Sequence, residues 1–170
     1  ESMERYSHLG NNTDWLMLQS LGRLICLYRN WGKPDETRKW KEKLEATKLK
    51  NLGGLPGSLR HDRANDAYVM RGSGFDIWDL FDDFHFAHKT LKGDGSITAR
   101  IDRLEKVHTW TKVGVMIRST LEPTSPHVSV CVSPYGVVSC DLRSTESGIT
   151  LHRSGGVKPV GFPHWVRLTR

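Results

Sequence analysis

Apolar and polar residues alternate along residues 84–120, and this alternation constrains the fold more than any other feature of the sequence. Val113, Val115 and Ile117 share one side of the pattern. A period of two residues with β-branched side chains on one side is typical of a strand that is half-buried against a second layer. The stretch is therefore predicted to form three strands, at residues 84–91, 96–104 and 112–119.

Turn-forming residues separate these strands and others that surround them. The sequence KGDG at residues 92–95 and the sequence SPYG at residues 133–136 are typical of tight turns, because Gly accepts positive φ and Asp bonds its own backbone. Many short strands with regular turns indicate an antiparallel sandwich. The further predicted strands are residues 67–71, 127–133, 136–143, 148–152 and 164–170.

The first 50 residues have a helical pattern instead. Apolar residues recur at helical spacing from Trp15 to Trp31, and Gly32 and Pro34 then end one helix and begin another, which runs to about Lys48. We expect a helical hairpin at residues 1–50, a Gly- and Pro-containing linker at 51–65, and a sandwich at 66–170. The chain lacks an initiator Met and ends within a strand-like alternation, so we expect it to be a piece of a longer protein.

The net charge of +6 is spread evenly, with +3 in residues 1–50 and +3 in the remainder. Nucleic-acid-binding proteins usually cluster their basic residues, so the sequence predicts no nucleic-acid partner. No run approaches the roughly 18 apolar residues of a membrane span, so no membrane partner is predicted either.

The cysteine pattern predicts free thiols. Cys131 shares parity with His127 and Ser129 on a polar side, whereas Cys140 shares parity with Leu142 on an apolar side. Two sulfurs on opposite faces of a sheet cannot meet the distances that a disulfide requires.

Neither catalysis nor metal binding has a clear signature. Glycoside hydrolysis needs paired carboxylates, and the glutamates of the predicted sandwich are isolated at turn-like positions. Aspartates cluster in a predicted loop at residues 76–83, where they either cap backbone amides or hold calcium. The histidines are scattered, and His85 and His88 are predicted on opposite faces of a strand. The sequence therefore predicts no enzyme, no cofactor and no metal site.

Five segments of the sequence carry motifs in a fixed order, at residues 72–78, 83–86, 93–100, 110–118 and 165–168. Together they resemble the concanavalin A-like lectin/glucanase superfamily, and most closely a group of bacterial domains of undetermined role with the patterns GDGxIxARV and WxKxGVMIR. The resemblance implies an antiparallel concanavalin A-like β-sandwich, incomplete at its C-terminal end, and specifies the fold rather than an activity. The Glu-x-Asp-x-Glu pattern of the glucanases is missing.

The helical hairpin resembles tetratricopeptide units that follow kinase domains in some bacterial serine/threonine kinases. The resemblance rests on residues 21–44, in which Leu21, Leu24 and Tyr28 match large apolar positions of the repeat. Ile25 stands where a small residue is usual. The hairpin is interpreted as the terminal unit of a repeat array, or alternatively as a helical appendage packed on the sheet.

The polar side of the predicted strands forms the candidate site. Flat aromatic rings pack on sugar rings while charged groups bond hydroxyls, and lectin-like relatives bind sugar on a sheet face or its rim. Arginines favour a carboxylated or sulfated glycan. The alternative is a solvated face, or one that further strands cover. The predicted ligand-binding residues are Arg100, Arg118, His127, Asp141, Arg143, Trp165 and Arg167.

These observations favour a non-catalytic recognition module of a larger bacterial protein, one that binds carbohydrate. The partners would be a glycan and, through the helical hairpin, a protein. Two other hypotheses stay open: a protein-interaction or spacer domain that docks through the tetratricopeptide-like hairpin, and an accessory fragment of a glycoside hydrolase.

Overall fold

The structure, a computed structural model, describes residues 12–52, 57–155 and 158–170. These residues form two compact units, residues 12–89 and 90–170, which we call the helical unit and the sheet unit. The described chain is mainly β, with antiparallel sheets and two helices, which confirms that part of the predicted fold class. The predictions for residues 1–11 and 53–56, at the start of the hairpin and within the linker, lie outside the described residues.

Two helices, α1 (Asn12–Asn30) and α2 (Pro34–Leu52), open the helical unit and confirm the predicted hairpin. Gly32 adopts φ 64° in the turn between them, and its N–H donates to the Arg29 carbonyl at 3.0 Å. Proline suits the first turn of α2 because its missing N–H would have no helical partner there. Within the described residues, neither helix has the length and apolar content that a membrane crossing requires.

Two β-hairpins complete the helical unit: β1 (Ser58–Asp62) with β2 (Ala67–Arg71), and β3 (Asp76–Trp78) with β4 (Phe81–Asp83). Strand β1 lies within the predicted linker, and β3 and β4 replace the predicted aspartate loop. Leu21 and Ile25 of α1, Leu44 of α2 and Phe81 of β4 form one buried cluster. The hairpin of helices thus packs on a short hairpin of strands.

The predicted strand at residues 84–91 is wrong, because the structure has an extended segment there without strand pairing. Phe84, Phe86 and His88 still share one side, with ring centroids 5.5 and 5.8 Å apart along the row. The alternating pattern therefore indicates only an extended backbone. A β-strand also needs a neighbouring strand to complete its hydrogen-bond ladder.

The sheet unit contains six strands: β5 (Ser96–Ile101), β6 (Val113–Arg118), β7 (His127–Val132), β8 (Val138–Arg143), β9 (Leu151–Ser154) and β10 (His164–Thr169). Strands β6, β7, β8 and β9 form one antiparallel sheet in that order, and β5 pairs with β10. The predicted strand at residues 148–152 is shifted toward the C-terminus, to 151–154. Gly93 adopts φ 72° in the predicted turn before β5.

The apolar sides of the strand pair and of the four-stranded sheet meet in a second core. Val115 and Val132 of the sheet pack with Ile101 of β5 and Val166 of β10, and all four are buried. Val113 packs against the same cluster, so the predicted inward side of β6 is confirmed. This arrangement directs alternate residues of β5 and β10 away from the core.

Candidate functional site

Four of the seven predicted ligand-binding residues lie on the four-stranded sheet. Arg118, His127 and Arg143 are register partners across β6, β7 and β8, and Asp141 lies two residues from Arg143 on the same side of β8. These four residues therefore share one face of the sheet. That face is not open, because His127, Asp141 and Arg143 are all buried.

The Arg143 guanidinium is fully buried and bonds protein oxygens in several directions. Its Nε donates to the Gly148 carbonyl at 3.1 Å, its Nη1 to the Pro123 carbonyl at 2.9 Å, and its Nη2 to Thr150 Oγ1 at 2.8 Å. Arg143 therefore holds the segments at residues 119–126 and 144–150 over the end of the sheet. A buried cation persists only with such satisfied donors.

Arg118 has a similar structural role at the edge strand β6. Its Nε donates to the Thr120 carbonyl at 2.7 Å and its Nη2 to the Glu122 carbonyl at 2.5 Å. These bonds fold the segment that follows β6 back on the sheet. These two Arg118 donors are thus used by backbone carbonyls of the segment that follows β6.

Asp141 and His152 form the other notable contact on this face, in register across β8 and β9. Asp141 Oδ1 lies 2.6 Å from His152 Nδ1.

Burial, together with the nearby Asp141 charge, raises the pKa of the Cys131 thiol to about 11. Cys131 is consequently a neutral thiol near pH 7 and a poor nucleophile.

The cysteine geometry agrees with the predicted parity. Cys131 is the register partner of Ser139, whereas Cys140 is the partner of Val130, which puts the two sulfurs on opposite faces. Both are free thiols.

The remaining predicted residues, Arg100, Trp165 and Arg167, come together on the outward side of the β5–β10 pair, which we call the outer face. Trp165 is the register partner of Arg100, and Arg167 is the partner of Thr98. All three candidate side chains are exposed, and Trp165 retains 64% of its accessible surface. The seven residues therefore divide into a group of four on the four-stranded sheet, three of them buried, and an exposed group of three on the β5–β10 pair.

The polar partners on the outer face differ for the two arginines. Arg100 Nε lies 2.7 Å from Asp102 Oδ1, and Arg100 Nη2 lies 3.2 Å from Asp102 Oδ2. Arg167 Nη2 donates to Ser96 Oγ at 3.3 Å. Asp102 and Ser96 are absent from the predicted set, although both share the polar parity of Arg100, which was the signal that could have identified them.

The acidic segment at residues 76–83 has a structural explanation. Asp79 adopts φ 53° between β3 and β4, and its Oδ2 lies 2.7 Å from Arg23 Nε of α1. Asp83 Oδ2 accepts from the Phe75 N–H at 3.1 Å. Among residues 12–52, 57–155 and 158–170, no three His, Cys, Asp or Glu side chains are grouped to hold a metal ion.

No protein-family model matches the chain, and neither a curated protein nor a solved structure matches it. The resemblances to the concanavalin A-like superfamily and to tetratricopeptide units therefore stay predictions.

Proposed function

We propose that the sheet unit is a non-catalytic recognition module for carbohydrate, and that its ligand lies on the outer face of the β5–β10 pair. We also propose that the sheet unit has the concanavalin A-like sandwich fold that the sequence predicts. The observation that carries the function is the exposed indole of Trp165 near the start of the paired strand β10, across from Arg100 and two residues before Arg167.

An exposed tryptophan on a rigid strand is suited to contact with the apolar face of a sugar ring. Covering about 80 Å² of its surface would stabilise a complex by about 2 kcal/mol, or roughly 30-fold in affinity. The hydroxyls of the sugar need donors and acceptors at the edge of that contact. Arg100, Arg167 and the neighbouring Thr98 supply both.

The outer face is also held in place before any ligand arrives. Strand β10 pairs with β5 over its whole length, from His164 to Thr169. Val166, between the two candidate β10 residues, is buried in the core. Because the backbone under Trp165 and Arg167 is already ordered, binding needs to order little more than side chains.

The test is a glycan array probed with the whole chain, followed by titration of the strongest hit against variants. Trp165→Ala is expected to weaken binding roughly 30-fold. Trp110→Ala is the matched control, since Trp110 is another exposed tryptophan of the sheet unit, at 69%. A chain that binds no glycan, or a Trp165→Ala variant that binds as well as the wild type, would overturn the proposal.

Protein docking through the helical hairpin stays a second prediction, as does a role as a hydrolase accessory. The same array separates both from carbohydrate recognition, because neither requires an intact outer face. Tandem hairpins encoded upstream of this chain would favour docking.

A further inference from the structure

The two arginines of the outer face are not electrostatically equivalent. Arg100 meets Asp102 with two nitrogens against two carboxylate oxygens, at 2.7 and 3.2 Å. Such a two-pronged pair satisfies the guanidinium and cancels its charge locally. Asp102 therefore holds the Arg100 side chain along its own strand. The ion pair as a whole presents little net positive charge to a ligand.

Arg167 has no such compensation among the described residues. Its one hydrogen bond there is to the neutral Ser96 hydroxyl at 3.3 Å, and no carboxylate lies within ion-pair distance. The outer face thus carries one uncompensated positive charge, on a guanidinium whose remaining donors are open to solvent. A planar fork of N–H donors matches the paired oxygens of a carboxylate or sulfate.

The positive charge of Arg167 lies close to the Trp165 ring along β10. Trp165 and Arg167 are two residues apart on β10, so their side chains leave the same face about 7 Å apart. A ring that packs on Trp165 would therefore have its substituents within reach of Arg167. Arg100 lies directly across from Trp165 on β5, so it would border the other side of the bound sugar ring.

We propose that the outer face selects an anionic sugar, with Trp165 under the ring and Arg167 on its carboxylate or sulfate group, while Arg100 positions hydroxyls as part of a neutral Arg100–Asp102 pair. This inference rests on the proposed function of carbohydrate recognition. It takes up the carboxylated or sulfated glycan that the sequence predicts, places the anionic group at Arg167, and gives the two arginines separate roles.

An array with uronic-acid, sulfated and neutral glycans tests the inference on the whole chain. Acidic glycans are expected to dominate the hits, and the uronic and sulfated members show which oxyanion is preferred. If all hits are neutral, the inference is overturned while carbohydrate recognition stands. If no glycan binds, carbohydrate recognition itself is overturned.

Titration of the strongest acidic hit then separates the arginines. Arg167→Gln is expected to weaken binding about tenfold, and to change binding of the carboxyl-reduced or desulfated form less than twofold. Arg153→Gln, which removes an exposed charge from β9, is the matched control and is expected to bind normally. Equal losses for the charged and neutral forms in Arg167→Gln would overturn the role of Arg167.

Asp102→Asn provides a gain-of-affinity test. Removing this carboxylate leaves Arg100 uncompensated and adds a second positive charge to the outer face. Binding of the acidic hit is expected to tighten about two- to fivefold, with the gain lost at high salt. Unchanged or weaker binding at low salt would contradict the neutral role of the Arg100–Asp102 pair.

Discussion

Asp141 Oδ1 lies 2.6 Å from His152 Nδ1, and the carboxylate is fully buried while the imidazole retains 27% of its exposure. The second carboxylate oxygen, Oδ2, makes no hydrogen bond within the described residues. His152 is therefore the main polar partner that compensates a buried carboxylate on the covered face of the sheet.

We expect His152→Ala to lower the free energy of unfolding by about 3 kcal/mol, because it leaves the Asp141 carboxylate buried and uncompensated. Urea denaturation measures the effect. The double variant His152→Ala/Asp141→Asn should be more stable than His152→Ala alone, since it removes the buried charge. A loss in His152→Ala no larger than that of the exposed-site control Arg153→Ala would contradict this account.

The buried guanidinium of Arg143 gives a second prediction. Arg143→Lys retains the positive charge but cannot reproduce donors directed at Pro123, Gly148 and Thr150. We expect it to lower the free energy of unfolding by about 2 to 4 kcal/mol, measured by chemical denaturation. Arg153→Lys, at an exposed position, should stay within about 0.5 kcal/mol of the wild type. Equal stabilities of the two variants would show that the network contributes nothing.

The Cys131 thiol predicts a loss of stability in alkali. Its pKa is raised by burial, from 9.0 to about 11, so between these values the unfolded chain loses this proton while the folded chain keeps it. The stabilisation is complete below pH 9 and declines as the pH rises to about 11, by roughly 2 to 3 kcal/mol.

The difference in unfolding free energy between the wild type and Cys131→Ala isolates this effect from other alkaline groups. That difference should be constant below pH 9 and should shift against the wild type toward pH 11. A difference that does not change with pH would contradict the raised pKa.

Gly22 in α1 predicts a reversal of the usual helix preference. Replacing Gly by Ala within a helix normally stabilises it by about 1 kcal/mol. At Gly22, however, a Cβ would overlap the ring of buried Phe81. We expect Gly22→Ala to destabilise the helical unit by about 1 to 3 kcal/mol, and Phe81→Leu to recover part of the loss in the double variant. A more stable Gly22→Ala, in thermal unfolding, would show that the ring moves aside without cost.

Local patterns predicted much of the fold correctly. Gly32 lies in the turn between α1 and α2, Pro34 begins α2, and Val115 packs in the core. The pairing of β1 with β2 was missed, because the exposed residues of β1 carry no alternation of buried and exposed positions. The segment at residues 84–91 shows the converse, since its alternation is real but no strand pairs with it.

The order of residues by itself determined which side chains share a face, because successive residues of an extended chain point to opposite sides whatever surrounds them. It grouped Arg118 with Arg143, and Trp165 with Arg167. Only the tertiary structure decided which group meets solvent. Carbonyls from two loops, those of Pro123 and Gly148, satisfy Arg143 and make its burial tolerable, whereas nothing comparable engages the Trp165 ring among the described residues.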